Sequence, residues 1–197
     1  MIIDVSAIQG VVDWQTVLSS QQIERVIFRS TTKNGNLDTR FMENFNGLIK
    51  NGYSGVFDVY KFAYSKTYDS ALIEAKKALE TLNNKGVMRA IDTFWLDLEN
   101  VDGVRFSTGQ AAQVIGAYRV MCEVYKKRFG IYANYDYVKN VLPAWAAIYP
   151  LWLARYNSIT GDVKPFNIEM WQYTSNGKVN GIKCAVDLSK YVRGGNV

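Results

Sequence analysis

The chain has 197 residues, 48% of them apolar and 21% charged, which suits one globular domain rather than a disordered or fibrous chain. It contains no histidine, which excludes Ser-His-Asp and Cys-His sites and the usual His-containing catalytic zinc sites. General acid or base chemistry must therefore rest on carboxyl groups, with Tyr, Lys or Cys as lesser alternatives. Net charge is +5, and 14% of residues are aromatic, including 13 Tyr and 5 Trp. A carboxyl-driven, aromatic-rich composition leans toward carbohydrate chemistry.

The longest basic run, Lys126-Lys127-Arg128, closes a helical pattern, where cations suit the helix dipole. It is read as a helix-end feature, and no nucleic-acid partner is expected. The mild positive charge favours an anionic surface such as a bacterial wall, through steering rather than specificity. Cys122 and Cys184 lie in separate elements without CxxC spacing and are read as buried free thiols. Met1-Ile2-Ile3-Asp4 enters a strand-like run with no basic leader, so no signal peptide is read. Nothing approaches the roughly 20 apolar residues of a membrane helix, and no membrane insertion is expected.

Period and punctuation then give a regular alternation. Strands are predicted at Ile2–Val5, Arg25–Ser30, Gly55–Tyr64, Phe94–Leu98 and Ile131–Asn134. Helical stretches are predicted at Trp14–Ser19, Arg40–Asn51 (stopped by Gly52), Ser70–Asn83, Ser107–Phe129 (stopped by Gly130) and Tyr137–Val141. After Pro143 the pattern changes: Leu151–Tyr156, Ile168–Thr174 and Cys184–Leu188 read as strands with no helix-length run between them. Alternating strands and helices imply parallel βαβ units. A full (β/α)8 barrel needs at least about 200 residues, so this chain must economise. The expectation is an α/β fold, an irregular TIM-like barrel of about five βα units followed by three strands with little helix. Residues 1–191 form one catalytic barrel in this reading, and 192–197 a tail or the start of a linker.

Parallel barrel strands, buried on both faces, should read as continuous apolar runs, so carboxylates within them need a reason. Six lie in or beside strands: Asp4, Asp58, Asp97, Glu99, Glu169 and Asp187. In Phe94–Asn100, Trp95, Asp97 and Glu99 share one face, while Phe94, Leu96 and Leu98 share the other. Asp97 and Glu99 sit about 6.6–6.8 Å apart by Cα at the carboxyl end of their strand, where barrel enzymes place their chemistry. At about 6 Å and an effective dielectric near 20, their repulsion is about 2.8 kcal/mol, enough to keep one protonated near neutral pH. Asp4 and Asp187 lie in the first and last strands, which adjoin in a closed barrel, so they can converge. Asp58 and Glu169 begin their strands, the wrong end for chemistry, and are read as structural. Tyr60, Phe62 and Tyr64 share one face of a strand, Trp152 and Tyr156 another, and Trp171 and Tyr173 a third. Core packing is the plain reading of such alternation, but buried Tyr and Trp also need polar partners, which suits a sugar-binding groove.

In order along the chain, Asp4-Val5-Ser6, Gln9-Gly10, Asp13-Trp14, Tyr60–Tyr64 (YKFAY), Trp95–Glu99 (WLDLE), Leu151–Tyr156 (LWLARY), Trp171–Thr174 (WQYT) and Val186-Asp187-Leu188 resemble the motifs of family 25 glycoside hydrolases, the Chalaropsis-type lysozymes. The resemblance runs from Ile3 to about Tyr191. It implies a muramidase acting on the β-1,4 bond between N-acetylmuramic acid and N-acetylglucosamine in peptidoglycan. By the same analogy Glu99 is the general acid, Asp97 orients and charge-stabilises the substrate 2-acetamido group where that group is the internal nucleophile, and Asp4 and Asp187 flank the site. Spacing along the sequence does not choose between this and a direct carboxylate nucleophile. Tyr60, Phe62, Tyr64, Tyr132, Trp152, Tyr156 and Trp171 are the expected substrate-binding residues, with no metal and no cofactor. Ala7 and Ile8 stand where many members carry His or an aromatic residue. Targeting is expected from the barrel itself or from a cell-wall-binding region outside this chain. Action on the wall implies holin-type release from a host cytoplasm, or secretion within a longer protein. Two other readings stand beside this one: a catalytically silent glycan-binding barrel, and a hydrolase of another N-acetylated glycan such as chitin. Arg29 or Arg155 is a candidate partner for the muramic-acid carboxylate, unless it forms an ion pair.

Overall fold

The computed structural model describes residues 1–55, 57–156, 158, 163 and 165–192. Eight strands close into one barrel in sequence order: β1 (Ile2–Val5), β2 (Arg25–Arg29), β3 (Phe57–Phe62), β4 (Ile91–Asp97), β5 (Arg128–Asn134), β6 (Leu151–Ala154), β7 (Ile168–Gly177) and β8 (Val186–Tyr191). The helices are α1 (Trp14–Ser20), α2 (Phe41–Lys50), α3 (Tyr68–Asn84), α4 (Thr108–Val124) and α5 (Tyr135–Asn140). Pairing is parallel from β1 through β7. It turns antiparallel at both sides of β8. A parallel return would need a crossover, and the turn between Gly177 and Val186 contains no helix to supply one. β8 therefore folds back as a hairpin and seals the barrel against β1.

Helix starts follow capping chemistry. The side chains of Asp13, Thr67, Ser107 and Asn134 each accept a backbone N–H of the first turn of α1, α3, α4 and α5. Several strand ends shift by two or three residues, and the largest misplaced boundary is the end of the longest helix. The helix read as Ser107–Phe129 ends at Val124, Lys126 takes a left-handed turn (φ 54°), and β5 begins at Arg128. Gly130 is not a helix stop; it lies within β5, where a Cβ would come within 2.4 Å of the Trp95 ring. The basic run is accordingly divided. Lys127 Nζ donates to the Met88 and Ile91 carbonyl oxygens, and Arg128 pairs with Glu169. Cys122 and Cys184 are free thiols; the first is buried, but the second is exposed.

The main core lies between sheet and helices, where Val26, Phe28, Val59, Phe94, Leu96 and Ile131 meet Leu79, Leu82, Val114 and Tyr118. Inside the barrel a smaller cluster of Ile2, Ile27, Trp95, Trp152 and Met170 fills the lower half. Below it Arg25 bridges Tyr191, Asp58 and Asp92. Asp58 accepts the Thr93 amide and the Trp95 indole N–H, both at 3.1 Å. Burial lifts its carboxyl to about 6, opposed by Arg25. Asp58 and Glu169 thus stand in structural networks away from the barrel mouth. Trp95 is packed against Gly130 and Trp152, so Gly130→Ala should cost about 1–3 kcal/mol by overpacking, measured as a lower urea midpoint without a changed m-value.

Candidate active site

Strand parity sets the cavity. The inward row of each strand contributes at the barrel mouth: Asp4 from β1, Tyr60 and Phe62 from β3, Asp97 from β4, Tyr132 from β5, Trp152 from β6, Gln172 from β7 and Asp187 from β8. Glu99 follows β4 and lines the same cavity. The backbone around it is fixed, because Ala63 N–H donates to the Asp97 carbonyl and Leu98 N–H to the Tyr132 carbonyl. The deep part holds about 50 Å3, room for a small substituent rather than a whole sugar ring.

The four acids come from distant segments. Asp4 and Asp187 are direct Cα partners across the β1–β8 pair. Burial, followed by the neighbouring Asp187, raises the Asp4 carboxyl well above the ordinary range. Burial raises Asp187 as well; the interaction between the two carboxyls raises Asp4 and lowers Asp187, so the pair titrates as a unit. Asp97 is also raised well above the usual value, by burial first and then by Glu99, and its Oδ1 is buried without a hydrogen-bond partner. Glu99 is raised to about 7, by burial and then by Asp187. The expected repulsion between Asp97 and Glu99 enters at Asp97, as its second cause; burial is the larger cause for both, and the charge that acts on Glu99 is Asp187.

Gln172 organises this row. Its Oε1 accepts the Tyr132 and Tyr156 hydroxyls at 3.0 and 3.2 Å, and its Nε2 donates to Asp4 at 3.3 Å. Sequence reasoning passed over it in favour of Trp171. The indole of Trp171 instead leaves β7 on the opposite face, donating to the Arg155 carbonyl at 2.7 Å beneath Lys190. Met170 and Gln172 are the buried, inward members of that strand, and their shared parity was the available signal. Tyr64 lies beyond the end of β3 and lines an adjoining groove rather than the cavity. Tyr156, half exposed, lines a recess shared with Glu99, Tyr132 and Arg155. Arg29 is paired with Asp38, and the Arg155 guanidinium stacks 3.9 Å from the Tyr135 ring centroid.

A closed barrel with clustered, proton-retaining carboxyls at its mouth defines the site of a glycoside hydrolase. The chain matches Glycosyl hydrolases family 25 over residues 3–182, and it belongs to that family. Among similar proteins is the uncharacterized protein YegX of Escherichia coli K12, 24% identical over 96% of this chain and 68% of YegX. The fold matches the modular autolysin LytC of Streptococcus pneumoniae with a TM-score of 0.83 at 23% identity. That match covers 95% of this chain but only 45% of LytC, which was solved with a synthetic peptidoglycan ligand. The lysozyme of Streptomyces coelicolor gives a TM-score of 0.74 at 20% identity, over 96% of this chain and 90% of that one. Among the described residues no helix is long and apolar enough to cross a membrane.

The raised titration of Glu99 has a consequence for stability. Because its folded value (about 7) exceeds the ordinary 4.5, its contribution is complete at acid pH and is lost as pH rises through 7. Glu99→Gln should therefore raise the urea midpoint relative to wild type at about pH 8, with a smaller difference at about pH 5. A variant no more stable at the higher pH would contradict this electrostatic assignment.

Proposed function

We propose that residues 1–191 form the catalytic barrel of a muramidase that hydrolyses the β-1,4 bond between N-acetylmuramic acid and N-acetylglucosamine in peptidoglycan. The observation that carries this reading is a carboxyl titrating near neutrality, Glu99, beside three further acids in one cavity. Glu99, protonated at the start, gives its proton to the glycosidic oxygen as the bond breaks. The carboxylate that remains then takes a proton from the incoming water. Asp97, whose buried Oδ1 lacks a partner, accepts the N–H of the substrate 2-acetamido group and orients it. The narrow cavity is of a size for that substituent. An oriented acetamido oxygen is a nucleophile at the anomeric carbon, a recognised alternative to a second carboxylate. Asp187 supplies negative charge close to Glu99, and Asp4, held by Gln172, keeps Asp187 in place. Tyr60, Phe62, Tyr132, Trp152 and Tyr156 form the walls. Access to the wall follows holin-type release or export within a longer protein, and a wall-binding region elsewhere adds targeting.

Digestion of purified peptidoglycan, with new reducing ends identified by mass spectrometry, tests the reading. Wild type should release muramic-acid reducing ends, and Glu99→Gln should lower the rate by about 10²–10⁴. Wall binding without release by the wild type would favour the silent glycan-binding barrel. The acid limb should be visible too: kcat/KM should fall about tenfold per pH unit above about 7, where Glu99 loses its proton. Asp97→Asn should impair turnover strongly while leaving the fold intact, and near-normal turnover would remove its assigned role.

A further inference from the structure

Next to the catalytic cavity, the β2–α2 loop and the first turns of α3 enclose a wider groove of about 560 Å3, lined by Lys33, Gly35, Tyr64, Ser65, Glu74 and Lys77 among others. The two are joined by aromatic rings. Trp152 lies 6.4 Å from Tyr60, Tyr60 5.6 Å from Phe62, and Phe62 6.5 Å from Tyr64, all edge-on. Lys33 Nζ sits 5.2 Å from the Tyr64 ring centroid. The Lys77 methylenes lie across Gly35, where a Cβ would come within 2.5 Å of them, and the Thr81 hydroxyl holds the Gly35 carbonyl at 3.1 Å.

The charge balance of this groove is positive. Its one lining carboxylate, Glu74, is already committed: it pairs with the fully buried Lys61 at 2.9 Å and accepts the Tyr64 and Ser65 amides. Asp102 faces the Tyr64 phenol but does not line the groove. Neither Lys33 nor Lys77 forms an ion pair among the described residues. Lys33, beside the Tyr64 ring, and Lys77, packed across Gly35, are thus two cations of the groove with no acid paired to them among the described residues.

We infer that this groove binds the carboxylate-bearing stem peptide attached to muramic acid, so that the enzyme reads the peptide as well as the glycan. This rests on the muramidase reading of the adjoining cavity. The reach is sufficient, since an extended chain spans about 3.3–3.6 Å per residue and the groove begins two ring-to-ring steps from Tyr60. A stem of four residues, about 13–14 Å when extended, therefore reaches from Tyr60 to the Tyr64 ring, where the groove begins. Stem peptides carry free carboxylates, which the two ammonium groups match, and Ser65 offers a hydroxyl to the peptide backbone.

The test measures binding of Glu99→Gln protein, whose slowed turnover leaves the strands intact during the measurement, to two soluble glycan preparations. One keeps its stem peptides; the other has them cleaved at the lactyl amide, which leaves the lactyl carboxylate in place. Removing the stems should weaken binding on the order of 3- to 10-fold. Adding Lys33→Gln and Lys77→Gln should lose the same factor on intact strands and nothing on stripped strands. Equal losses on both strands would assign the groove to the glycan or its lactyl group. Losses confined to walls that retain phosphate polymers would assign it to those, and no loss at all would also overturn the proposal. Wild-type turnover of the same strands, run in parallel, reports separately on the muramidase reading. The stem-dependent affinity is read whether or not the strands are cut.

Discussion

Four carboxyl groups share a narrow cavity that no Lys or Arg lines among the described residues. That constraint governs the molecule. A buried carboxylate without a cation keeps its proton, so desolvation is the first cause of the raised titration of Asp4, Asp97, Glu99 and Asp187 alike. The cations that do approach are kept at a distance. Lys61 points out of the barrel toward Glu74 and lowers Asp97 through the sheet; Arg29 is neutralised by the buried Asp38. Neutral groups supply the remaining contacts: Gln172 spends its amide on two tyrosine hydroxyls and Asp4. Proton-retaining acids near neutral pH are what general-acid chemistry requires, and here they follow from burial rather than from a dedicated partner.

The two ends of the barrel handle charge in opposite ways. At the floor, Asp58 is as deeply buried as the acids of the mouth, yet it has a guanidinium, an indole N–H and a backbone amide, and its titration rises only to about 6. At the mouth, Asp97 keeps one buried oxygen with no hydrogen-bond partner among the described residues. An unsatisfied buried oxygen carries a desolvation penalty of about 1–3 kcal/mol, which a substrate N–H would relieve on binding. Satisfied acids hold the scaffold together, and the unsatisfied one is left for the ligand.

Much of this was legible in the sequence, and the failures have physical causes. The alternation Trp95, Asp97, Glu99 against Phe94, Leu96, Leu98 reads directly, because Phe94, Leu96 and Leu98 form an unbroken apolar row. The convergence of Asp4 with Asp187 follows from closure, since first and last strands must adjoin. β7 misled because both of its faces carry large residues: Met170 and Gln172 inside, Trp171 and Tyr173 outside. Where no helix covers the outer face, aromatic residues there give no parity signal. Gly130 misled for a related reason, since a glycine required by the close approach of Trp95 looks the same in sequence as one that ends a helix. The dominance of burial over repulsion at Glu99 depends on depth, which spacing along the chain does not encode.

The antiparallel turn of β8 is more than economy of length. Side chains alternate with period two, so a slip of one residue in this strand would send Asp187 to the outer face and bring Val186 or Leu188 into the cavity. Register is held at several points: Leu188 fills the space over Gly177, Ser189 accepts the Trp152 indole N–H at 3.0 Å, and Tyr191 accepts from Arg25 at 3.0 Å. The inward row of β8 therefore runs Asp187, Ser189, Tyr191 from mouth to floor, each with its own partner. The strand that closes the barrel is also the one that sets Asp187 opposite Asp4 and beside Glu99. Closing the fold and charging the site are thus the same structural event, which ties the titration of Glu99 to the integrity of the β7–β8 hairpin.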